Sequence, residues 1–593
     1  MSNENMNPAV ENSVEMCRHS MAHVLAKAVM ELYDGVKLAI GPAIETGLYY
    51  DFDIPTAITD SDLEKIEAKM TEIIKRREDF TRREISAEEA LKLFADQPYK
   101  IEMINALDGK EEISLYDLGD DFVDLCRGPH VENAIHLRSW SFKVASVAGA
   151  YWHGDENNPM LQRVYVYAYP SKAELKEYLN FIEEAKKRDH RRLGPQLDLF
   201  FMDETAPGMP YWLPNGWKMF NTLLDFWREE HEKRNYQEIS SPLVNLNSLW
   251  KTSGHWAHYQ ENMFIVPLSE EQVYAVKPMN CPNAMVVFQR KTRSYRDLPL
   301  RYSDCDVLHR KEVSGTLHGL LRVQMFRQDD SHNFISEDQI YSEINSILDI
   351  ADLFYGIFGL TYTPVLSTRP ADYMGEVELW DKAETELKAV LDARYGTTGY
   401  QINEGDGAFY GPKIDIMMKD ALNRVWQTGT IQLDFQLSRN FNLTYTDRDG
   451  ALKTPVVVHR VIYGSIERFI GILIEHFAGY FPFWISAQQV GIVPVREEHT
   501  DYANEIAEKL RMAKIRATVD TSNGTMGNKI KTFRKELMPY ILIVGDKEME
   551  DGTISLRVRT TGKQVNGIPL EMLINACKVM TETHALELTE DFE

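Results

Sequence analysis

The chemistry-bearing residues of this chain gather in short segments far apart in sequence. HSMAH puts His19 and His23 four residues apart, on one face if the segment is helical. DLCRGPH adds Asp124, Cys126 and His130, and Gly128-Pro129 breaks any helix between the thiol and the imidazole, so the two must meet across a turn. Three imidazoles and one thiol suit a metal ion. They equally suit a water-activating site, because an imidazole titrates near neutrality. The residues alone leave both open.

A second group lies in the middle of the chain. Read as a strand, LRVQMFRQDDSHNF places Arg322, Gln324, Phe326, Gln328, Asp330 and His332 on one face, with Leu321, Val323 and Met325 anchoring the other. The alternatives are an amphipathic surface strand and the floor of a polar pocket. Upstream, Arg310 and Glu312 in VLHRKE share a face before the hairpin-like SGTLHGL. An arginine can grip a phosphate bidentately, and a carboxylate can accept the exocyclic amine of a base. In HRVIYGSIERFIGILIEHF, Ile462, Ile466, Phe469, Leu473 and Phe477 mark the core side of a helix. Arg468 is one charge inside this apolar helix, and Gly464 with Ser465 opens it, an arrangement that suits an anion at a helix start. There is no GxxxxGK[ST] loop and no strand–GxGxxG–helix fingerprint, so a bound nucleotide would have to be held by arginines and strand residues.

The elements that must position these groups read as follows. With 593 residues the chain has room for about four domains. The composition is that of a folded, core-forming protein, and a net charge of −25 argues against general nucleic-acid adhesion while leaving room for local basic surface. Five scattered cysteines favour a reducing compartment over a disulfide scaffold, and the start carries no secretory signal, so a cytoplasmic location is expected. Residues 1–12 read as a disordered tail and 13–170 as a first domain, with a helix from about Ser13 to Ala28 and a helical stretch over 60–98 in which KRREDFTRRE is a basic node. Residues 171–195 read as one basic linker helix that stops at Gly194-Pro195. An α+β domain with an antiparallel sheet spans 196–486. Strand–helix–strand–helix–strand in 487–593 gives an α/β domain with a parallel core.

These segments resemble the signature motifs of class II aminoacyl-tRNA synthetases. WREEHEKRNYQEISSPLV with Pro242 is similar to motif 1, the HRKE segment with its following strand to motif 2, and GSIERF to motif 3, whereas HIGH and KMSKS of class I are absent. KPMNCPNAM, RVQMFRQDDSHNF, EGDGAFYGPKID, QTGTIQLDFQL and VVVHRVIYGSIERF narrow the likeness to the threonyl-specific family, from residue 16 to the end.

The resemblance implies an α+β multidomain enzyme that attaches L-threonine to its tRNA through a threonyl-adenylate, using ATP with magnesium and acting as a homodimer through motif 1. It implies one zinc ion on Cys281, His332 and His459, with Asp330 accepting the threonine hydroxyl proton. Arg310 would hold the α-phosphate, Glu312 the adenine, and Arg322 and Arg468 the outer phosphates, beside Ser465. Tyr410, Lys413, Gln328, Gln427, Thr430 and Gln432 would complete the pocket. A hydroxyl-binding metal rejects valine, but serine lacks only a methyl, worth roughly 1–3 kcal/mol, so a correcting site is needed. In the family His19, His23, Cys126 and His130 line that site and deacylate seryl-tRNA without an obligate metal, with Lys100 and Asp124 nearby. AYWHGDENN carries His153 where the family usually carries arginine. Asn523, Glu548 and Arg557 match positions that read unpaired anticodon bases. The ubiquitin-like domain that usually precedes the editing module is expected to be missing.

Overall fold

The computed structural model describes residues 8–107, 113–155, 157–269, 272–590 and 592. They form two compact units, Met1–Glu184 and Ala185–Glu593. Residues 1–7 of the expected tail lie outside the described residues. The first helix, α1 (Pro8–Leu32), begins within that tail and runs past Ala28.

In the first unit α1 and α2 (Leu63–Arg76) share a core with β1 (Gly47–Asp53), β5 (Ser141–Tyr151) and β6 (Met160–Tyr169). These strands belong to a five-stranded antiparallel sheet. A second sheet joins β2 (Phe80–Ile85), β3 (Ile113–Leu118) and β4 (Val123–Leu125), next to helix α3 (Pro98–Ala106). The continuous helical stretch expected over 60–98 is therefore corrected. Arg77 caps α2 in the left-handed conformation, and the basic node continues as edge strand β2, whose exposed residues hide its strand character. Its arginines are matched by acids, Arg76 with Glu31 at 2.5 Å and Arg83 with Asp117 at 2.7 Å.

The expected single linker helix is two. α4 (Lys172–Arg188) ends before Asp189, whose side chain accepts from the Arg191 amide and starts α5 (His190–Gln196). α5 then runs through Gly194 and Pro195, where an end was expected.

The second unit is built on an eight-stranded sheet. Its order is β7 (Tyr236–Glu238), β8 (Leu300–Asp304), β11 (Asp330–Ile335), β16 (Val456–Val461), β15 (Val425–Asp434), β14 (Lys413–Lys419), β12 (Thr361–Ser367) and β13 (Gln401–Asn403), antiparallel except for the two edge pairs. Ile335, Ile414, Ile416, Ile431, Leu433 and Val458 point to one face. There they form the main core with α6 (Pro214–Glu232), α8 (Ile340–Gly356) and α9 (Ile466–His476). The other face carries polar residues, closed at one end by α7 (Cys281–Gln289), whose Ala284 and Met285 pack with Phe334 and Val457.

The long strand expected over 321–334 is broken. β10 (Met325–Arg327) pairs with β9 (Val307–His309) outside the large sheet, and only β11 joins it. The break falls at Gln328-Asp329, where Asp329 turns inward and accepts from the Ile462 and Gly464 amides at 3.0 Å. The single alternating face thus holds only for Asp330 and His332. Ile462 lies before α9 rather than on it; the helix starts at Ile466 with Ser465 as its cap.

The C-terminal sheet has β17 (Val490–Pro494) between parallel β18 (Ala517–Val519) and β19 (Tyr540–Val544), as expected. It is extended by antiparallel β20 (Ile554–Val558) and β21 (Gln564–Ile568). No described helix is long and apolar enough to cross a membrane.

Candidate functional sites

Sheet register assembles the central site. Lys413 on β14 faces Gln432 on β15, Gln432 faces His459 on β16, and His459 faces His332 on β11. Residues opposite one another share a face, and so do residues two apart along a strand. Asp415, Thr430 and Asp330 therefore join the row, though more than a hundred residues separate its ends.

Cys281, the first residue of α7, closes over the two histidines. The thiol sulfur and one nitrogen from each ring lie within 4.8 Å of one another, and all three residues are buried. Their polar atoms are poorly satisfied. Both ring nitrogens of His332 and Nδ1 of His459 are buried with no hydrogen-bond partner, a costly arrangement for two neighbouring imidazoles. His459 Nε2 is 2.9 Å from Oδ2 of Asp434, whose Oδ1 accepts from the Gln436 and Leu437 amides. Burial drives the His332 ring well below the usual imidazole range. Burial also works against His459, yet Cys281 and Asp434 raise it to about 10. Burial raises Asp330 to about 6 against the pull of His459, and its Oδ2 accepts from Asn280 at 3.2 Å. A thiol, two imidazoles with free nitrogens and a carboxylate orienting one ring fit a tetrahedral zinc site with one position open.

The remaining predicted residues surround this row. Tyr410 donates to Gln432 Oε1 at 2.8 Å. Lys413 pairs with Asp415 at 2.9 Å, and Gln427 and Thr430 donate to the same carboxylate at 2.7 and 3.1 Å. Arg310, just after β9, donates from Nε to the Pro278 carbonyl and lies 5.0 Å from the Phe326 ring. Glu312 and Arg322 are each other's partners, at 2.9 Å. Gln328 bridges to Ser465. Arg468 donates from Nε to the Leu321 carbonyl at 2.8 Å, and its amide donates to Ser465 Oγ. Glu467, in the first turn of α9, is buried and accepts from the Arg327 amide at 2.9 Å and from the Ser465 hydroxyl at 3.1 Å. Sequence reasoning missed Asp434 and Asp415. Both alternate with hydrophobic residues in their strands, and that polar face was the available signal.

The first unit brings together the other predicted set. His19 and His23 on α1 meet Cys126 and His130 with ligand atoms within 4.8 Å of one another. Here fewer polar atoms are orphaned: His23 Nδ1 is buried without a partner, and His23 Nε2 lies 3.6 Å from Asp124 Oδ2. Cys126 Sγ lies 3.3 Å from His19 Nε2 and 3.1 Å from His130 Nε2, and the Gly128 amide donates to it. His130 Nδ1 meets Ser20 Oγ at 3.1 Å. Gly128 sits at φ 74°, and a Cβ there would lie 2.4 Å from the Tyr116 hydroxyl, so the turn requires glycine. Burial lowers the rings of His19, His23 and His130 and raises the Cys126 thiol to about 11. Lys100 is buried against Asp124 at 2.5 Å, and the Tyr50 hydroxyl, unmarked in the sequence reading, donates to Asp124 at 2.6 Å. His19, His23, Lys100, Asp124 and Cys126 open onto a cavity of about 480 Å3. His153, at φ 56°, pairs with Glu102 at 2.9 Å.

Of the predicted base-reading residues, Glu548 is committed locally, accepting from Ser555 Oγ at 2.6 Å and from the Gly545 amide at 3.0 Å. Asn523 is exposed in the turn before the helix Met526–Lys535, and Arg557 lies on β20, opposite Ile541 and Gln564.

Three family models match the chain. The tRNA synthetase class II core domain (G, H, P, S and T) covers 264–477, the anticodon binding domain covers 489–580, and the threonyl and alanyl tRNA synthetase second additional domain covers 113–165. The threonine–tRNA ligase of Thermotoga petrophila is 50% identical over 97% of this chain and 89% of its own length. That of Desulforamulus reducens is 50% identical over 93% and 86%. A crystal structure of the RNA binding domain of threonyl-tRNA synthetase from Cryptosporidium parvum superposes with a TM-score of 0.64 at 41% identity, covering 68% of this chain and all of that one.

Proposed function

The chain belongs to the threonine–tRNA ligase family, and from that premise we propose that it forms threonyl-adenylate from threonine and ATP, transfers the threonyl group to tRNA, and hydrolyses seryl-tRNA made in error. We assign editing to residues 13–170, a linker to 171–195, adenylation to 196–486 and anticodon binding to 487–593. The observation that carries the reading is the buried Cys281/His332/His459 cluster, with its orphaned ring nitrogens, at the centre of a class II sheet.

Cys281, His332 and His459 would hold a zinc ion, which supplies a Lewis-acid position for the amino and hydroxyl groups of threonine. Asp434 fixes the orientation of the His459 ring through Nε2, leaving Nδ1 to face the cluster. Asp330, beside it on the same face, accepts the substrate hydroxyl. Arg310 neutralises charge developing at the α-phosphate as the threonine carboxylate attacks. Glu312 and Arg322 part from each other to meet adenine and the outer phosphates of magnesium-bound ATP, and Arg468 serves the same phosphates. Lys413, Tyr410 and the glutamines bound the amino-acid side.

In the first unit the four-residue His/Cys set orients water against the seryl ester, with all four groups electrically neutral near pH 7. Homodimerisation through motif 1 and a cytoplasmic location complete the proposal. The test is threonine-dependent ATP–pyrophosphate exchange with and without a chelator. Loss of exchange on chelation and its return with added zinc support the reading, and exchange indifferent to metal contradicts it.

A further inference from the structure

His190 lies outside the residues assigned to either reaction, yet it is completely buried where the chain enters the catalytic core. It is the first residue of α5. Its Nδ1 is 2.7 Å from Glu475 Oε1 on α9, and its backbone amide donates to the same oxygen at 3.2 Å. Its Nε2 accepts from the Leu320 amide at 3.0 Å. An atom that accepts an amide proton carries none, so the ring is held as the tautomer with its proton on Nδ1, donated to Glu475.

This one ring therefore ties three segments together. Leu320 belongs to the loop between β9 and β10 that carries Arg322. The next residue, Leu321, offers its carbonyl to Arg468 Nε at 2.8 Å. The packing is close enough to dictate the loop sequence. A Cβ on Gly319, at φ 49°, would lie 2.2 Å from His190 Nε2, and one on Gly471 of α9 would lie 3.1 Å from Leu320 Cβ. Arg188 adds a further tie, donating to the Glu475 and His476 carbonyls at the end of α9.

We propose that His190 is a positioning residue for ATP: by holding the Leu320 amide it sets the 319–322 loop, and through Leu321 and Arg322 it sets the two arginines that meet the outer phosphates. This rests on the synthetase reading above. The threonine pocket is bounded by sheet residues that the ring does not touch, so the effect falls on one substrate.

Asparagine at 190 can still donate to Glu475 but stops short of Leu320, whereas the longer glutamine carries an oxygen out to the Nε2 position. In threonine-dependent ATP–pyrophosphate exchange with the full chain, H190N raises the KM for ATP about tenfold, what one lost buried hydrogen bond costs. The KM for threonine stays within about twofold, and H190Q recovers most of the loss. G319A, which pushes the loop off the ring, raises the KM for ATP in the same way and decides the matter if H190N does not fold. An unchanged KM for ATP in H190N and G319A overturns the proposal. So does an equal loss of kcat and of both KM values in H190N and H190Q, accompanied by a lowered Tm, which marks a structural role alone. Absence of exchange in the unsubstituted chain is a separate outcome; it overturns the synthetase reading and this proposal with it.

Discussion

The chain holds two clusters of histidine and cysteine that look interchangeable as a set of donors, and their surroundings make them different. In the central cluster three ring nitrogens are buried without partners, and the carboxylates of Asp330 and Asp434 stand close by. In the N-terminal cluster the Cys126 thiol is already engaged by two imidazoles and an amide, His130 is engaged by Ser20, and the nearest buried charges are the Lys100–Asp124 pair. Unsatisfied donors among carboxylates favour a cation. A cluster with a single unpartnered ring nitrogen, His23 Nδ1, and a lysine paired to its carboxylate favours a neutral site that handles water. In the proposed function, what lies behind the ligating atoms separates a metal site from a hydrolytic one.

The largest expected effect breaks the central cluster alone. C281A or H332A reduces bound zinc from about one per chain to none and lowers threonine activation by roughly a thousandfold or more, while hydrolysis of preformed seryl-tRNA is retained. Metal analysis and the two assays on one preparation check this. R310A should leave zinc in place and depress adenylate formation by about a hundred- to thousandfold, with little change in threonine binding. The same change at exposed Lys75 does little, and equal losses for the two would contradict the phosphate role.

For the N-terminal cluster, H19A combined with C126A should slow seryl-tRNA hydrolysis about a hundredfold and leave threonyl-tRNA synthesis unchanged. If the double variant instead loses a bound metal and unfolds, the cluster is a structural metal site. D434N keeps every proposed ligand but weakens the hold on the His459 ring. A loss of about 10- to 100-fold in zinc affinity, read by competition with a chelator, is expected.

Much of this contrast was legible in the sequence. The spacing of His19 and His23 and the turn at Gly128-Pro129 placed one cluster correctly as a set. Asp330 and His332 fell on one strand face, and the strand–helix alternation after residue 487 gave the C-terminal sheet. What failed did so for tertiary reasons. A strand continuous over 321–334 satisfied the pattern, but Asp329 is drawn inward by the amides of the turn before α9, a contact made by residues more than 130 positions away. The node at 75–84 looked helical because an edge strand paired on one side shows no apolar alternation. Asp434 was missed because its value lies in the ring it orients.

The smallest expected effect is on stability against pH. Burial is the main force lowering the rings of His23 and His130, and neighbouring imidazoles add to it. Unfolded histidine takes up a proton near pH 6.5, while these folded rings refuse it, so the unfolded state binds more protons as the solution is acidified. Stability contributed by these rings is full above about pH 6.5 and declines below it. Thermal melts followed by a probe in the first unit should drop in Tm between about pH 7 and pH 5. H130N, which cannot take up that proton, should flatten the decline. An unchanged slope would show that the decline does not come from the His130 ring.

The most direct measurement takes one preparation of the full chain, strips it with a chelator, and follows both reactions before and after zinc is restored. Threonine-dependent ATP–pyrophosphate exchange should collapse and return with zinc, while hydrolysis of preformed seryl-tRNA proceeds at the same rate throughout. If both reactions collapse together, or both survive, the two clusters are not the different chemical devices that their surroundings indicate.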